Sequence, residues 1–295
     1  MPVDWDSMRE EAITIATASG KLSGTLALPD RAPPWDLVLL VGGAGPTDRD
    51  GASLLAGQDG VPMKALAHGL ARSGIASLRY DKRGVGGSVH AGLREEDLRF
   101  RHLVDDAVAL LGHLEDDARW RAPVLLGHSE GALIAALAAR ESAARAVAYV
   151  SGAGEKASTL MRAQLVGRLP EVLELPALAM LDLLEAEHIV AEPPEALSLL
   201  FRPSVQPYLV SWFRYDPAEV LEDLDLPLLL VHGSADQQSA SGAERLRAAR
   251  PDARWLRVEG MDHALAVRGD AESGARQVAA AVSDWVRSLA NAEVD

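Results

Sequence analysis

Pro123-Val124-Leu125-Leu126-Gly127-His128-Ser129-Glu130-Gly131-Ala132, running on into an alanine-rich stretch that ends at Ala139, is the segment whose reading decides the fold of this chain. The apolar run Val124 to Leu126 reads as a buried parallel strand. Ala132, Ala135, Ala136 and Ala139 are small residues that let a helix lie close on a sheet. Between them sits a G-x-S-x-G pentapeptide, so the order is strand, sharp turn, helix. A serine at such a turn is pushed into a strained, outward-pointing conformation, and the flanking glycines let neighbouring backbone pass without Cβ clashes. Ser129 is therefore a candidate nucleophile. In a chain with 25 glycines the pentapeptide also arises by chance, in an ordinary surface loop, so its partners have to carry the reading.

A serine hydroxyl is a poor nucleophile at neutral pH and needs a base within hydrogen-bond reach, itself oriented by a third group. Of the eight histidines, His263 alone follows both Ser129 and a strand-like segment that ends in an acid. That segment is Pro227 to Val231, continuing as His232-Gly233-Ser234-Ala235-Asp236. A helix-like stretch (Gly242 to Ala249) and another strand (Arg254 to Val258) lead to the loop holding His263. Asp236 and His263 are thus expected just past the carboxyl ends of successive strands, on the same sheet edge as Ser129. Asp223 and Asp225 compete with Asp236 for the role of orienting acid. His128 and His232 precede the catalytic turns and are read as local packing or hydrogen-bonding residues.

Acyl transfer also needs donors for a developing oxyanion, and backbone N–H groups serve best because they are fixed before reaction. The amide of Glu130, after the nucleophile, is one candidate. The second is expected in the glycine-rich loop after the strand Leu37 to Val41, at Ala44, with Gly43 as the next choice. As a phosphate cradle that loop lacks the Lys-Ser/Thr ending.

Strands and helices alternate along the chain. Two opening strands (Ala12 to Thr17, Leu22 to Leu28) are joined at Ser19-Gly20, a hairpin signal. Helical spacing is clear at Leu103, Ala107, Leu110 and Leu114, and again at Val278, Val282, Trp285 and Leu289. This pattern predicts an α/β fold with a mostly parallel, eight-stranded sheet covered by helices on both faces. The stretch from Glu155 to Pro217 is too long for a plain connection and reads as a helical insertion, with Ala177 to Ile189 and Pro194 to Phe201 apolar-rich. The expected division is a core of residues 1–154 and 218–295 with a helical cap of residues 155–217. Tyr208, Trp212 and Phe213 are the candidate substrate-binding residues of that cap; the alternative is a structural helical layer.

Besides the nucleophile turn, three stretches carry a resemblance. They are Gly43-Ala44-Gly45-Pro46-Thr47-Asp48-Arg49-Asp50-Gly51, Arg79-Tyr80-Asp81-Lys82-Arg83-Gly84-Val85-Gly86-Gly87-Ser88, and Phe201 to Tyr208 running on to Pro217. With these the chain resembles the α/β-hydrolase superfamily, within it the bacterial esterase, lysophospholipase-like and serine-aminopeptidase-like hydrolases. The resemblance implies Ser129 as nucleophile, Asp236 as orienting acid and His263 as base. One departure is Gly42-Gly43 where many relatives have His-Gly, which keeps the donor amides and removes an orienting side chain. The charged clusters at 48–50 and 81–83 read as ion pairs bracing loops under the site, against an alternative in which Arg49 or Arg83 grips a substrate carboxylate.

Composition bounds the partners. A net charge of −14, from 43 acidic against 29 basic residues, argues against nucleic acid and anionic membrane surfaces. The polar start Met1 to Glu11 carries no apolar signal region, so a soluble, cytoplasmic protein without membrane insertion is expected. The absence of cysteine excludes disulfides and thiol catalysis, and nothing in the sequence calls for a metal or cofactor. A homo-oligomer is left open. The expected activity is hydrolysis of a small-molecule carboxylic ester through an acyl-enzyme. The alternatives are a peptidase or amidase with the same triad, marked by acids of the insertion (Glu171, Glu174, Asp182, Glu185 or Glu187) that would meet a free amino terminus, and a non-catalytic binding protein on the same fold.

Overall fold

The computed structural model describes residues 8–18, 20–52, 60–115 and 117–292. Strands β1 (Arg9–Thr17) and β2 (Gly20–Leu28) form an antiparallel hairpin, and Ser19 of the expected turn lies outside the described residues, as do residues 1–7. There follow β3 (Leu37–Val41), α1 (Met63–Arg72), β4 (Ala76–Tyr80), α2 (Phe100–Leu114), β5 (Val124–His128), α3 (Glu130–Ala139) and β6 (Ala146–Val150). Four helices come next: α4 (Ala157–Leu165), α5 (Glu171–Glu185), α6 (Ser198–Phe201) and α7 (Gln206–Phe213). The chain closes with α8 (Pro217–Glu222), β7 (Leu228–Gly233), α9 (Ala243–Ala249), β8 (Arg254–Val258) and α10 (Ser273–Ala292). The eight strands make one sheet in the order β1-β2-β4-β3-β5-β6-β7-β8, in which β2 alone runs against its neighbours.

The central strands are apolar throughout because both faces are covered. On β3, Leu37, Leu39 and Val41 pack toward Phe100, Leu103 and Ala135 of α2 and α3, while Val38 and Leu40 pack toward Leu66, Leu70, Val278 and Val282 of α1 and α10. The period of two therefore sorts one uninterrupted apolar run into two cores. Of the expected α10 stripe, Val278, Val282 and Trp285 are buried and Leu289 packs at its margin.

Helices α4 to α7 bury a third cluster of their own, built on Leu181, Leu184, Phe201, Leu209 and Phe213. Helix α5 begins at Glu171, before the apolar stretch that signals it, and runs through Pro176. Its first turn is held by the Glu174 carboxylate, which accepts the Gly167 amide at 2.8 Å. The helix stops short of Ile189, because Glu187 takes a left-handed φ of 61°.

Candidate active site

Ser129 joins the end of β5 to the start of α3 with φ 56° and ψ −119°, a region that non-glycine residues rarely enter. The turn is possible because its glycines pass backbone against backbone: a Cβ on Gly127 would stand 2.0 Å from the Gly131 carbonyl oxygen, and one on Gly131 would stand 2.3 Å from that of Val41. The Ser129 amide donates to the Val150 carbonyl at 3.0 Å, tying the turn to β6.

The end of β7 and the loop after β8 supply the partners. Gly233 lets these two segments touch, since a Cβ there would meet the Met261 carbonyl oxygen at 2.0 Å. The Ala235 amide donates to that same carbonyl at 3.0 Å. Asp236 and His263 are thereby brought face to face, with His263 Nδ1 3.1 and 3.0 Å from the two carboxylate oxygens. His263 Nε2 lies 3.0 Å from Ser129 Oγ. A proton on Nδ1, donated to the carboxylate, leaves Nε2 free to accept the serine proton. Asp225 precedes β7 and so belongs to the opposite sheet edge, and Asp223 faces Arg140 at 3.8 Å on the surface. Asp236 alone of the three reaches the histidine.

Asp236 is buried, and its oxygens also accept the Gln238 and Ser239 amides at 3.0 and 3.2 Å and the Ser239 hydroxyl at 2.7 Å. Burial works to raise its pKa, but the hydrogen bonds from His263 and Ser239 and the nearby histidine outweigh it, and the carboxyl sits below the usual carboxylate range. His232, next to Ser239 at 3.1 Å, is pushed down to about 4 by burial. His128 is pushed down to about 3 by burial and by the neighbouring His263. Both are neutral at physiological pH. His128 Nε2–H donates to the His263 carbonyl at 2.7 Å, the local hydrogen-bonding role that its place in the sequence suggests.

Gly43, Ala44 and Ser129 line one cleft, and Ala44 and Glu130 share a second pocket with Ser129. The loop and the turn are joined underneath. Lys82 Nζ reaches the Glu130 carboxylate at 2.9 Å and donates also to the Gly43 carbonyl, while the Tyr208 hydroxyl donates to the other oxygen of Glu130. A cation, a carboxylate and a phenol thus fix the spacing between the two segments that carry the candidate oxyanion donors. The sequence places Lys82 in the 81–83 cluster of loop braces but gives no sign of its partners Glu130 and Gly43. Ser239, which orients Asp236, is likewise missed, because a serine three residues past an acid carries no signal of its own.

Two cavities meet at Ser129 and share Ala44, Gln238 and His263. The larger, about 540 Å³, spreads over the Gly42–Thr47 loop and reaches Arg168. The smaller, about 220 Å³, lies beside helices α4 and α7 and is lined in part by Leu133, Leu160, Met161 and Trp212. Of the three aromatic residues expected at the substrate, Trp212 lines this pocket and stacks on Phe100 with ring centroids 5.8 Å apart. Tyr208 is turned to Glu130 instead, and Phe213 is buried in the core of the insertion. Helical geometry accounts for Phe213, which points about 100° away from its neighbour Trp212; Tyr208 shares the face of Trp212, with ring centroids 6.0 Å apart, and is set apart by its hydroxyl bond to Glu130.

The charged clusters are braces. Arg49 is bidentate to Asp81 at 3.0 and 2.6 Å and also bonds Ser23 and Thr25, and Arg83 is bidentate to Asp106 at 2.9 and 2.5 Å. Neither arginine lines a cavity at Ser129, so the carboxylate-gripping alternative fails for both. Among the described residues no three His, Asp or Glu side chains gather as a metal-ligand set, and no helix is long and apolar enough to cross a membrane.

Comparison with known proteins places this geometry in context. Residues 59–185 match a family described as serine aminopeptidase, S33. Esterase EstD of Thermotoga maritima is 29% identical over 241 residues, 80% of this chain and 54% of the esterase, so the chain spans about half the length of that relative. Among solved structures, the esterase domain of a Rhodothermus marinus protein superposes with a TM-score of 0.61 at 20% identity, over 95% of this chain and 98% of that one. Est1E from Butyrivibrio proteoclasticus, with ferulic acid bound, gives 0.65 at 17% identity, over 94% and 98% of the two chains. These structural likenesses carry the fold.

Proposed function

We propose that this chain, which has the α/β-hydrolase fold, cleaves carboxylic esters through an acyl-enzyme, and the observation that carries the reading is the continuous link from Asp236 through His263 to Ser129 at 3.0 Å per step. Ser129 Oγ attacks the ester carbonyl carbon as His263 Nε2 takes its proton. The carbonyl oxygen gains the negative charge and is met by the amides of Glu130 and Ala44, with Gly43 beside them. Collapse breaks the bond to the alcohol oxygen, which receives the proton from His263. Water then repeats the sequence on the acyl-enzyme, releasing the acid and restoring Ser129. Asp236 stays ionised and stabilises the charged imidazole. Residues 155–217 act as a cap over the nucleophile, with Trp212 presented to the substrate.

The family description also favours a second reading, cleavage of an amino-terminal amide. It is weaker on geometry. Glu174 is spent on the Gly167 amide, Asp182 and Glu185 on Arg162, and Glu187 on Arg214, and neither they nor Glu171 line the cavities at Ser129. Labelling with a fluorescent fluorophosphonate, together with turnover of p-nitrophenyl esters and aminoacyl p-nitroanilides, tests both. Labelling and ester turnover that vanish in Ser129→Ala are expected. Faster turnover of the anilides would favour the peptidase, and folded wild-type protein that neither labels nor turns over would overturn the enzymatic reading.

A further inference from the structure

The two cavities at Ser129 differ in size, about 540 against 220 Å³, and the difference sorts the two halves of an ester. After the first step the acyl group stays tethered to Ser129 while the alcohol leaves and water takes its place. The half that exchanges belongs in the wider cleft, and the half that stays belongs in the smaller pocket, where Leu133, Leu160, Met161 and Trp212 offer an apolar wall opposite the polar side chains of Ser151, Glu155 and Gln164.

Among the described residues the wider cleft holds one arginine. Of the four arginines in residues 155–217, Arg162 pairs with Asp182 and Glu185, Arg202 with Glu95, and Arg214 with Glu187. Arg168, exposed in the α4–α5 connection, lines the cleft and has no ion pair among the described residues. Among the described residues one carboxylate, Asp262, shares the wall, and one of its oxygens is engaged by the Ala266 amide at 2.8 Å. An unpaired guanidinium presents a fork of donors that matches a carboxylate or phosphate.

Resting on the ester reading, we propose that the substrate's leaving alcohol is polar and anionic, held by Arg168, and that its acyl half is a short apolar group in the smaller pocket. Arg168 is then a specificity-determining residue that contacts substrate away from the reacting atoms.

The test compares kcat/KM for 3-butyryloxybenzoate and its neutral analogue 3-butyryloxybenzamide on wild type, Arg168→Gln and Arg168→Glu, with thermal melts to verify folding. Wild type is expected to favour the anion about tenfold, the worth of one partly exposed charge-assisted contact. Arg168→Gln is expected to abolish that preference by lowering kcat/KM for the anion far more than for the neutral ester, and Arg168→Glu to invert it. The wild-type preference shrinks as salt is raised. An anion-to-neutral ratio identical in wild type and Arg168→Gln overturns the inference while leaving the ester reading intact, as does a preference for a cationic alcohol, which would point to Asp262. Folded wild type that hydrolyses neither ester nor any p-nitrophenyl ester overturns the ester reading, and this inference with it.

Discussion

The Nζ of Lys82 lies 2.9 Å from the carboxylate of Glu130, and both side chains are buried beneath the turn that carries Ser129. Breaking a buried pair from one side leaves a charge without water or counter-ion, at a cost of about 3–5 kcal/mol. Lys82→Met is therefore expected to lose stability on that scale in urea titrations, and to lose turnover as the Gly43 carbonyl is released. Combining it with Glu130→Gln removes the stranded charge and keeps an acceptor for Tyr208. The double variant recovers most of the stability. If it is no more stable than Lys82→Met alone, the pair is not the brace described.

Asp236→Asn keeps the shape of the acid and removes its charge. An amide that donates to His263 Nδ1 forces the wrong tautomer on the ring, so kcat is expected to fall by about 10³–10⁴-fold. Ser239→Ala removes one of four contacts to the carboxylate and is expected to cost roughly tenfold or less, the scale of one hydrogen bond to a charged group. Steady-state kinetics with p-nitrophenyl esters read both. Equal losses in the two variants would mean that Ser239, not Asp236, sets the ring.

The approach of Asp236, His263 and Ser129 to one another is legible in sequence because Ser129 and Asp236 follow apolar strands, His263 follows the partly exposed strand β8, and strand ends are local signals. Chain order did the rest. The Tyr208 bond to Glu130 spans 78 residues and the Lys82 bond 48, and no local pattern announces such pairs. For α7 the apolar composition is visible, but its rotation is set by what packs on it, and that decides why Trp212 faces the pocket and Phe213 the core. The start of α5 was hidden for a different reason. Pro176 reads as a breaker, yet the helix continues through it once its flank is buried against α4 and α7.

The neutral buried histidines give stability a pH dependence whose sign is fixed. His232, pushed down to about 4 in the folded state, titrates near 6.5 when unfolded. Below that unfolded value the unfolded chain binds the extra proton, so stability is lost as pH falls toward 4, by about 1.4 kcal/mol per pH unit for each such group. His128, pushed down to about 3, adds a second contribution in the same direction. Urea midpoints between pH 7 and 4.5 should thus fall steeply in wild type and less steeply, by about one proton, in His232→Phe. A slope unchanged by that substitution would show that His232 is protonated in the folded protein.

Two glycine substitutions separate steric necessity from mere flexibility. A Cβ at Gly131 would stand 2.3 Å from the Val41 carbonyl oxygen, whereas one at Gly112, inside α2, would meet nothing within 4 Å. Gly131→Ala is expected to push α3 off β3 and abolish turnover. Gly112→Ala is expected to stabilise by about 0.5–1 kcal/mol through helix propensity alone, with kinetics unchanged. Thermal melts and ester turnover measured side by side check the pair, and an active Gly131→Ala would contradict the packing of the elbow.

Met161 offers the cleanest handle on the acyl half, since it lines the smaller pocket and sits at the margin of the insertion's own core. Trp212 is less suitable, because it also stacks on Phe100 and its removal would disturb the core. Met161→Ala deletes three heavy atoms from the wall and opens room for about two further methylenes, each worth ~0.8 kcal/mol when buried. The chain-length optimum for p-nitrophenyl esters is therefore expected to move toward longer acyl groups by about two carbons, with kcat/KM for those esters rising several-fold. Changes in the alcohol, at fixed acyl length, should leave the ratio of mutant to wild type flat. If the substitution instead alters discrimination among alcohols and leaves the acyl profile in place, the two halves of the ester lie the other way round, with the leaving group beside α4 and α7.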